Sequence, residues 1–239
     1  MTRALLLVHA FPLDARMWGR LADEPEAIAL DLPGFGGVPP PSDGVLTMGV
    51  AASAALAALD EAGVERAVIC GLSMGGYVAF EMWRRSPARV AGLILANTRA
   101  APDTPEARAG RLALAARLRA EGNVLVDDPP PLLAEDAVDG LQQRVRGWIA
   151  GQDPAGIAAA ALGIADRPDS RPDLPTISVP TLVVTSDRDR LIPREASAPL
   201  ADAVPGAELA VIEGAGHLSN VERPEVFATL VRRFRERIG

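Results

Sequence analysis

Apolar residues along this chain fall into two alternating kinds of run. Short, uninterrupted runs, "ALLLV" (4–8), "AIAL" (27–30), "RAVICG" (66–71) and "VAGLILAN" (90–97), read as strands buried on both faces. Between them lie stretches with helical character. Residues 47–62 are rich in alanine and leucine and stop at Gly63; residues 74–85 stop at Ser86-Pro87. Strands that are apolar throughout and alternate with helices predict parallel strands covered on both sides.

The alternation then pauses. Asp103-Thr104-Pro105-Glu106 opens a helix with a cap residue and a proline in the first turn, and Gly122 closes it. Residues 135–150 read as a second helix, and Asp153-Pro154 opens a third. The proline-rich "DRPDSRPDLP" (166–175) leads out. This predicts an all-helical insertion between two strands. The sheet resumes with "PTLVVTS" (180–186), a helix over 194–203 and a strand over 207–212. In the last helix, 224–238, Val226, Phe227, Leu230, Val231, Phe234 and Ile238 share one face, with arginines opposite.

One strand-to-helix junction carries chemistry. "VICGLSMGGYVAF" (68–80) places Ser73 in a Gly-x-Ser-x-Gly corner. A strand turning directly into a helix forces the corner residue into strained angles and leaves no room for side chains two positions either side. Gly71 and Gly75 occupy those positions, so the serine hydroxyl is held at the tip of the turn. The helix N-terminus aims amide donors and positive dipole at the same point, where a developing oxyanion would be stabilised.

A serine nucleophile needs a base, and the chain has two histidines. His9 follows the first strand and is expected to hold its loop through backbone hydrogen bonds. His217, in "IEGAGHLSN" after the last strand, fits the order serine, acid, histidine. The acid belongs after a strand between the two, where "VVTSDRDRLIP" offers Asp187 and Asp189. Asp189 is preferred because it lies further out beyond the strand end; Asp187 then caps the following turn. Asn97, at the other strand end that could hold an acid, carries no charge. Asp31 has the wrong chain order and is read as support for the glycine turn "DLPGFGG" (31–37). The oxyanion donors are the Met74 amide and, from the loop after the first strand, the Phe11 amide, since Pro12 has no N–H. Asp14 reads as a helix cap before Met17 and Trp18, and Cys70 as a buried core thiol.

Composition narrows the field. A net charge of −7 with no basic cluster argues against nucleic-acid binding, and all 24 basic residues are arginine, which excludes a catalytic lysine. A single cysteine allows no internal disulfide, and no residue cluster has metal-ligand spacing, so neither metal nor organic cofactor is expected. The first apolar run is too short for a signal peptide or membrane span, so a soluble cytoplasmic protein is the default expectation. Oligomeric state is not legible.

The segments "HAFPLDARMW", "DLPGFGG", "GLSMGG", "SDRDRLIP" and "GAGHLSNVERP" stand in an order and spacing that closely resembles the α/β-hydrolase superfamily, over essentially the whole chain. The likeness is strongest to small bacterial esterases and 3-oxoadipate enol-lactonase-like enzymes. It implies a mostly parallel sheet of about six strands, because the chain enters directly at "RALLLVHAF" without the usual opening antiparallel hairpin. The core would be 1–98 and 176–239, and the helical cap 99–175. A pocket between sheet and cap has Trp148, Leu112, Leu114 and Leu118 as its candidate lining, though for any one of them packing of cap helices against each other is the commoner role. The implied activity is cofactor-free hydrolysis of a small-molecule ester or lactone. Perhydrolase, haloperoxidase and menaquinone-pathway-type lyase activities use the same triad, and a ligand-binding receptor is the reading from another class.

Overall fold

The structure, a computed structural model, describes residues 4–238. Residues 1–3 and 239, the outer edges of the expected core, lie outside it. Six strands form one sheet: β1 (Leu5–Val8), β2 (Ala27–Leu30), β3 (Ala67–Leu72), β4 (Val90–Ala96), β5 (Thr181–Ser186) and β6 (Glu208–Ile212). Their order is β2-β1-β3-β4-β5-β6, and every neighbouring pair is parallel. Each coincides with an expected strand, and all but β6 were legible as apolar runs. The central β1, β3, β4 and β5 are buried throughout, as a strand covered on both faces must be.

Among the described residues nine α-helices accompany the sheet: α1 (Met48–Glu61), α2 (Met74–Arg85), α3 (Pro105–Glu121), α4 (Asp139–Ala150), α5 (Pro154–Ala165), α6 (Arg194–Ser197), α7 (Pro199–Ala203), α8 (Ser219–Glu222) and α9 (Pro224–Ile238). The expected 194–203 helix is two short ones, because Pro199 cannot continue the first. The second insertion helix begins at Asp139 instead of 135. Residues 15–23, after the expected Asp14 cap, form 3-10 turns broken at Gly19.

The chain runs from β1 outward to β2 and then crosses back to β3, so right-handed crossovers put the early turns and α1–α2 on opposite faces. Helix α9 shares the face of the 3-10 turns, where Phe227 meets Trp18 at 6.1 Å between ring centres. It lies over β4 at Gly92, where any side chain would strike Ile238 and Phe234. Its inner face differs in two places from the sequence pattern. Val226 is 49% exposed, while Arg235 is buried, donating to the Pro25 carbonyl and pairing with Glu24. The edge beside Glu24 supplies a buried counter-charge that helical periodicity does not reveal.

Between β4 and β5 the chain is helical, α3 to α5. Helix α5 is alanine-rich and buried all round. It crosses the glycine turn so closely that a Cβ on Gly156 would sit 1.9 Å from the Gly34 carbonyl oxygen. Glycine at 34, with φ +94°, and at 156 therefore lets this helix dock above the sheet edge. No helix among the described residues is long and apolar enough to cross a membrane.

Candidate active site

Parallel strands carry all their C-terminal ends to one side, so residues far apart in sequence meet there. Phe11 follows β1, Ser73 follows β3, Asp189 follows β5 and His217 follows β6. The chain direction reverses between β1 and β3, the crevice where ligands bind in open α/β sheets.

The elbow has the geometry expected of it. Ser73 has φ 56° and ψ −110°, a left-handed conformation rare for a residue with a side chain. A Cβ on Gly71 would lie 2.1 Å from the Gly75 carbonyl oxygen, and one on Gly75 would lie 2.0 Å from that of Val8. The third glycine, Gly76, faces Thr98, whose hydroxyl donates to the Ser73 carbonyl at 2.8 Å. The Met74 amide is the first of α2, and the Phe11 amide stands at the mouth of the β1 loop. Neither is spent on a hydrogen bond to another described residue. Phe11 precedes Pro12 through a cis peptide.

His217 is buried, and its Nδ1 lies 2.8 Å from Asp189 Oδ2. Asp189 accepts three further hydrogen bonds, from the amides of Leu191 and Ile192 at 2.9 Å and from Asn97 Nδ2 at 3.0 Å. Burial alone would raise its carboxyl, but His217, the Ile192 amide and Asn97 outweigh it, and the group stays below the usual carboxylate range. A carboxylate there fixes the proton on His217 Nδ1 and leaves Nε2 bare. Asp187 is exposed and accepts from the Gly214 amide at 2.7 Å, in the loop after β6. The turn cap anticipated for Asp187 is made by Asp189 instead, and Asp187 holds the loop after β6.

Asn97 is the residue that sequence reasoning passed over. It lies fully buried at the end of β4 with φ 43°. Its amide donates to both Ser186 Oγ and Asp189 Oδ2, and its oxygen accepts from Ser219 Oγ. Ser186 in turn donates to the Gly216 carbonyl beside His217. The signal was present: an amide at a strand end adjacent to the acid can donate to a carboxylate, which a second acid could not.

Ser73, Met74, Phe11 and His217 all border one cavity of about 440 Å³, with Tyr77, Leu125, Pro129 to Leu132, Ile164, Leu191 and Ile192 around it. Of the anticipated lining, Leu114 is present. Trp148, Leu112 and Leu118 are not. Leu118 is one turn beyond Leu114 and buried where α3 packs on α5. Leu112 lies two residues before Leu114, about 200° away round the helix. Trp148 opens instead onto a separate cleft beside Trp18, Phe227 and Arg144, because α4 buries Val145 and Ile149. Arg99 and Arg111 border the Ser73 cavity and were not anticipated.

His9 is wholly buried, accepts from the Leu32 amide at Nε2 and bonds the Ala10 carbonyl through Nδ1. Burial holds its pKa below the ordinary imidazole value. Asp31 accepts the Ala15 amide and packs against Gly36. Cys70 is buried in β3, and burial pushes its thiol pKa up, so it is no nucleophile. Among the described residues no group of three His, Cys, Asp or Glu could hold a metal.

A parallel sheet with a strained serine at the strand-to-helix corner, and a buried imidazole–carboxylate pair whose imidazole borders the same cavity, is the arrangement of the α/β-hydrolase fold. The sequence profile of the alpha/beta hydrolase family matches residues 5–230, and the chain belongs to that family. Among similar proteins, the pimeloyl-[acyl-carrier protein] methyl ester esterase of Neisseria meningitidis is 31% identical over 98% of this chain and 94% of its own. An esterase of Thermogutta terrifontis, solved with malate bound, superposes with a TM-score of 0.93 and 39% identity, covering 99% of this chain and 90% of that one. The enol-lactonase of Burkholderia xenovorans LB400 gives 0.86 and 27%, covering 98% and 91%.

Proposed function

We propose that this protein is a serine hydrolase of small carboxylic esters or lactones, with Ser73 as nucleophile, His217 as base and Asp189 as acid. His217 Nε2 takes the proton of Ser73 Oγ as the oxygen attacks the substrate carbonyl. The Phe11 and Met74 amides donate to the resulting oxyanion. Protonated His217 then gives its proton to the departing alkoxide, or to the alcohol end of an opened lactone, leaving an acyl ester on Ser73. A water deprotonated by His217 cleaves that ester and restores the serine. Asp189 keeps the imidazole in the productive tautomer and balances its transient charge. The helices 105–165 act as the cap that closes the cavity and excludes bulk water. No metal or organic cofactor takes part.

The observation that carries this reading is the buried Asp189–His217 hydrogen bond beside the cavity onto which the strained Ser73 opens. The esterases and the enol-lactonase among the similar proteins support an ester or lactone substrate. A panel of p-nitrophenyl esters of rising chain length, run beside simple lactones, tests it. Wild type should show steady multiple turnover, and a folded Ser73→Ala variant should lose it by at least about a thousandfold. A single stoichiometric burst without turnover would favour a receptor, and activity retained in Ser73→Ala would remove the serine from the mechanism.

A further inference from the structure

The cavity beside Ser73 has an electrostatic feature that ester hydrolysis alone does not require. Its walls are mostly apolar: Leu114, Leu125, the Pro129–Pro131 run, Ile164 and Leu191. Two arginines, Arg99 and Arg111, interrupt them. Both are anchored on Asp103, whose side chain is completely buried. Arg99 NH2 lies 3.1 Å from Oδ1, and Arg111 Nε lies 2.5 Å from Oδ2. A third arginine, Arg167, also bonds Oδ1, at 2.8 Å. Three guanidinium groups on one carboxylate leave an excess of two positive charges.

Arg167 does not border the cavity, and although its Nε is, like that of Arg99, a buried donor without an acceptor, its terminal nitrogens are committed. Its side chain is buried, its guanidinium lies 4.3 Å over the Tyr77 ring, and it donates to the carbonyls of Ile164 and Ala101. Arg99 and Arg111 are different. Each keeps about a quarter of its side chain exposed, at 28% and 25%. Arg99 Nε is a buried donor without an acceptor. Arg111 reaches Asp103 through Nε, which leaves its terminal nitrogens without an acceptor among the described residues. The one carboxylate on the cavity wall, Asp128, is exposed and pairs with neither.

A buried aspartate that orients two arginines without neutralising them is a costly arrangement for packing alone. It makes sense as a preorganised anion seat, because a planar fork of donors matches a carboxylate. Low-dielectric walls strengthen the attraction. We propose that the Arg99–Arg111 pair binds a second, ionised carboxylate on the substrate. Resting on the hydrolase reading above, this makes the preferred substrate an ester or lactone whose acyl part carries a free carboxylate, such as the half-ester of a dicarboxylic acid. One end of the acyl chain is held by the arginines while the other presents its ester carbonyl to Ser73.

The test compares isosteric pairs. Monomethyl esters of four- to six-carbon dicarboxylic acids are set against methyl esters of the unbranched monocarboxylic acids of the same length, with acid release measured as initial rate. The wild type should favour the half-ester in kcat/KM by about ten- to a hundredfold at the matching chain length, the range of a charge-assisted hydrogen bond. In Arg111→Gln that preference should collapse towards one. In Arg117→Gln, an exposed position on the same helix that does not border the cavity, it should persist. A purely structural role for Arg111 would lower both rates together and leave the ratio unchanged. Calorimetric binding of adipate to Ser73→Ala, with and without Arg111→Gln, reads the anion seat independently of turnover. Adipate binding that Arg111→Gln removes supports the seat even if no ester is hydrolysed, in which case the hydrolase reading alone falls. Equal kcat/KM for half-ester and neutral ester in the wild type, or adipate binding indifferent to Arg111, overturns the proposal.

Discussion

Replacing Asp189 with asparagine should abolish turnover while leaving the protein folded, and the hydrogen bonds around the residue say why. Asp189 has four partners, and all four are donors: the Leu191 and Ile192 amides on Oδ1, and His217 Nδ1 and Asn97 Nδ2 on Oδ2. The backbone amides cannot turn, so the oxygen of an asparagine must stay on their side. Its NH₂ then faces two groups that were also donating. Asn97 can relieve its conflict by rotating its amide: the Ser219 hydroxyl can turn to accept, and Ser186 can donate to the rotated oxygen by releasing the Gly216 carbonyl. His217 can relieve its own only by moving its proton to Nε2. That tautomer cannot accept the Ser73 proton. The structural cost is about 1–2 kcal/mol, the scale of one imperfect buried hydrogen bond. In a domain of this size that is a fall of about 2–8 °C in melting temperature. The catalytic cost is roughly 10⁴-fold at neutral pH, the scale seen when a triad histidine is held in the wrong tautomer. Asp187→Asn keeps an oxygen for the Gly214 amide and should change neither melting nor turnover appreciably. Initial rates on a p-nitrophenyl ester and thermal melts of both variants check this. If Asp187→Asn is the inactive variant, or Asp189→Asn keeps a tenth of the activity, the acid is misassigned.

Three further outcomes follow from the same structure. Gly75→Ala would drive a methyl into the Val8 carbonyl and push the Met74 amide off its position; turnover should fall at least about a hundredfold with a loss of about 1–3 kcal/mol, while Gly147→Ala, with open space around it, should gain about 0.5–1 kcal/mol, both read by urea unfolding. Because burial depresses the His9 pKa, the unfolded chain takes up a proton near pH 6.5 before the folded one does, so its share of the stability is complete above about 6.5 and is lost as pH falls towards the folded pKa. Unfolding free energy measured between pH 7.5 and 5 should therefore slope downward more steeply in wild type than in His9→Gln, and equal slopes would refute this. Exhaustive chelation should leave turnover unchanged, and activity restored only by added zinc would contradict a metal-free mechanism.

Much of this was legible because it depends on local sterics and on continuous burial. A strand covered on both faces must be apolar at every position, so the four central strands show as runs. Thr104 and Asp153 cap their helices, and Pro105 and Pro154 sit in the first turns, as their side chains and ring geometry require. The elbow is legible in part for the same reason: Gly71 is demanded by a contact of about 2 Å to the Gly75 carbonyl four residues on, while Gly75 makes room for the Val8 carbonyl of the neighbouring strand.

Local pattern was therefore enough to locate the strands, the helix boundaries to within a few residues, and the loop on which each proposed catalytic group stands. What the helical segment turns towards the cavity depends on packing between elements. Periodicity identifies an apolar face but not the surface it meets. Leu114 borders the cavity while Leu118, on the same stripe, is buried a turn beyond it, and Trp148 opens onto another cleft. An alanine-rich helix such as α5 has no face to read at all. Nor can a chain of 24 scattered arginines announce which of them will be desolvated. Arg99, Arg111 and Arg167 converge because folding buries the one carboxylate, Asp103, that they share, and the energy of a charge depends on its surroundings more than on its neighbours in sequence.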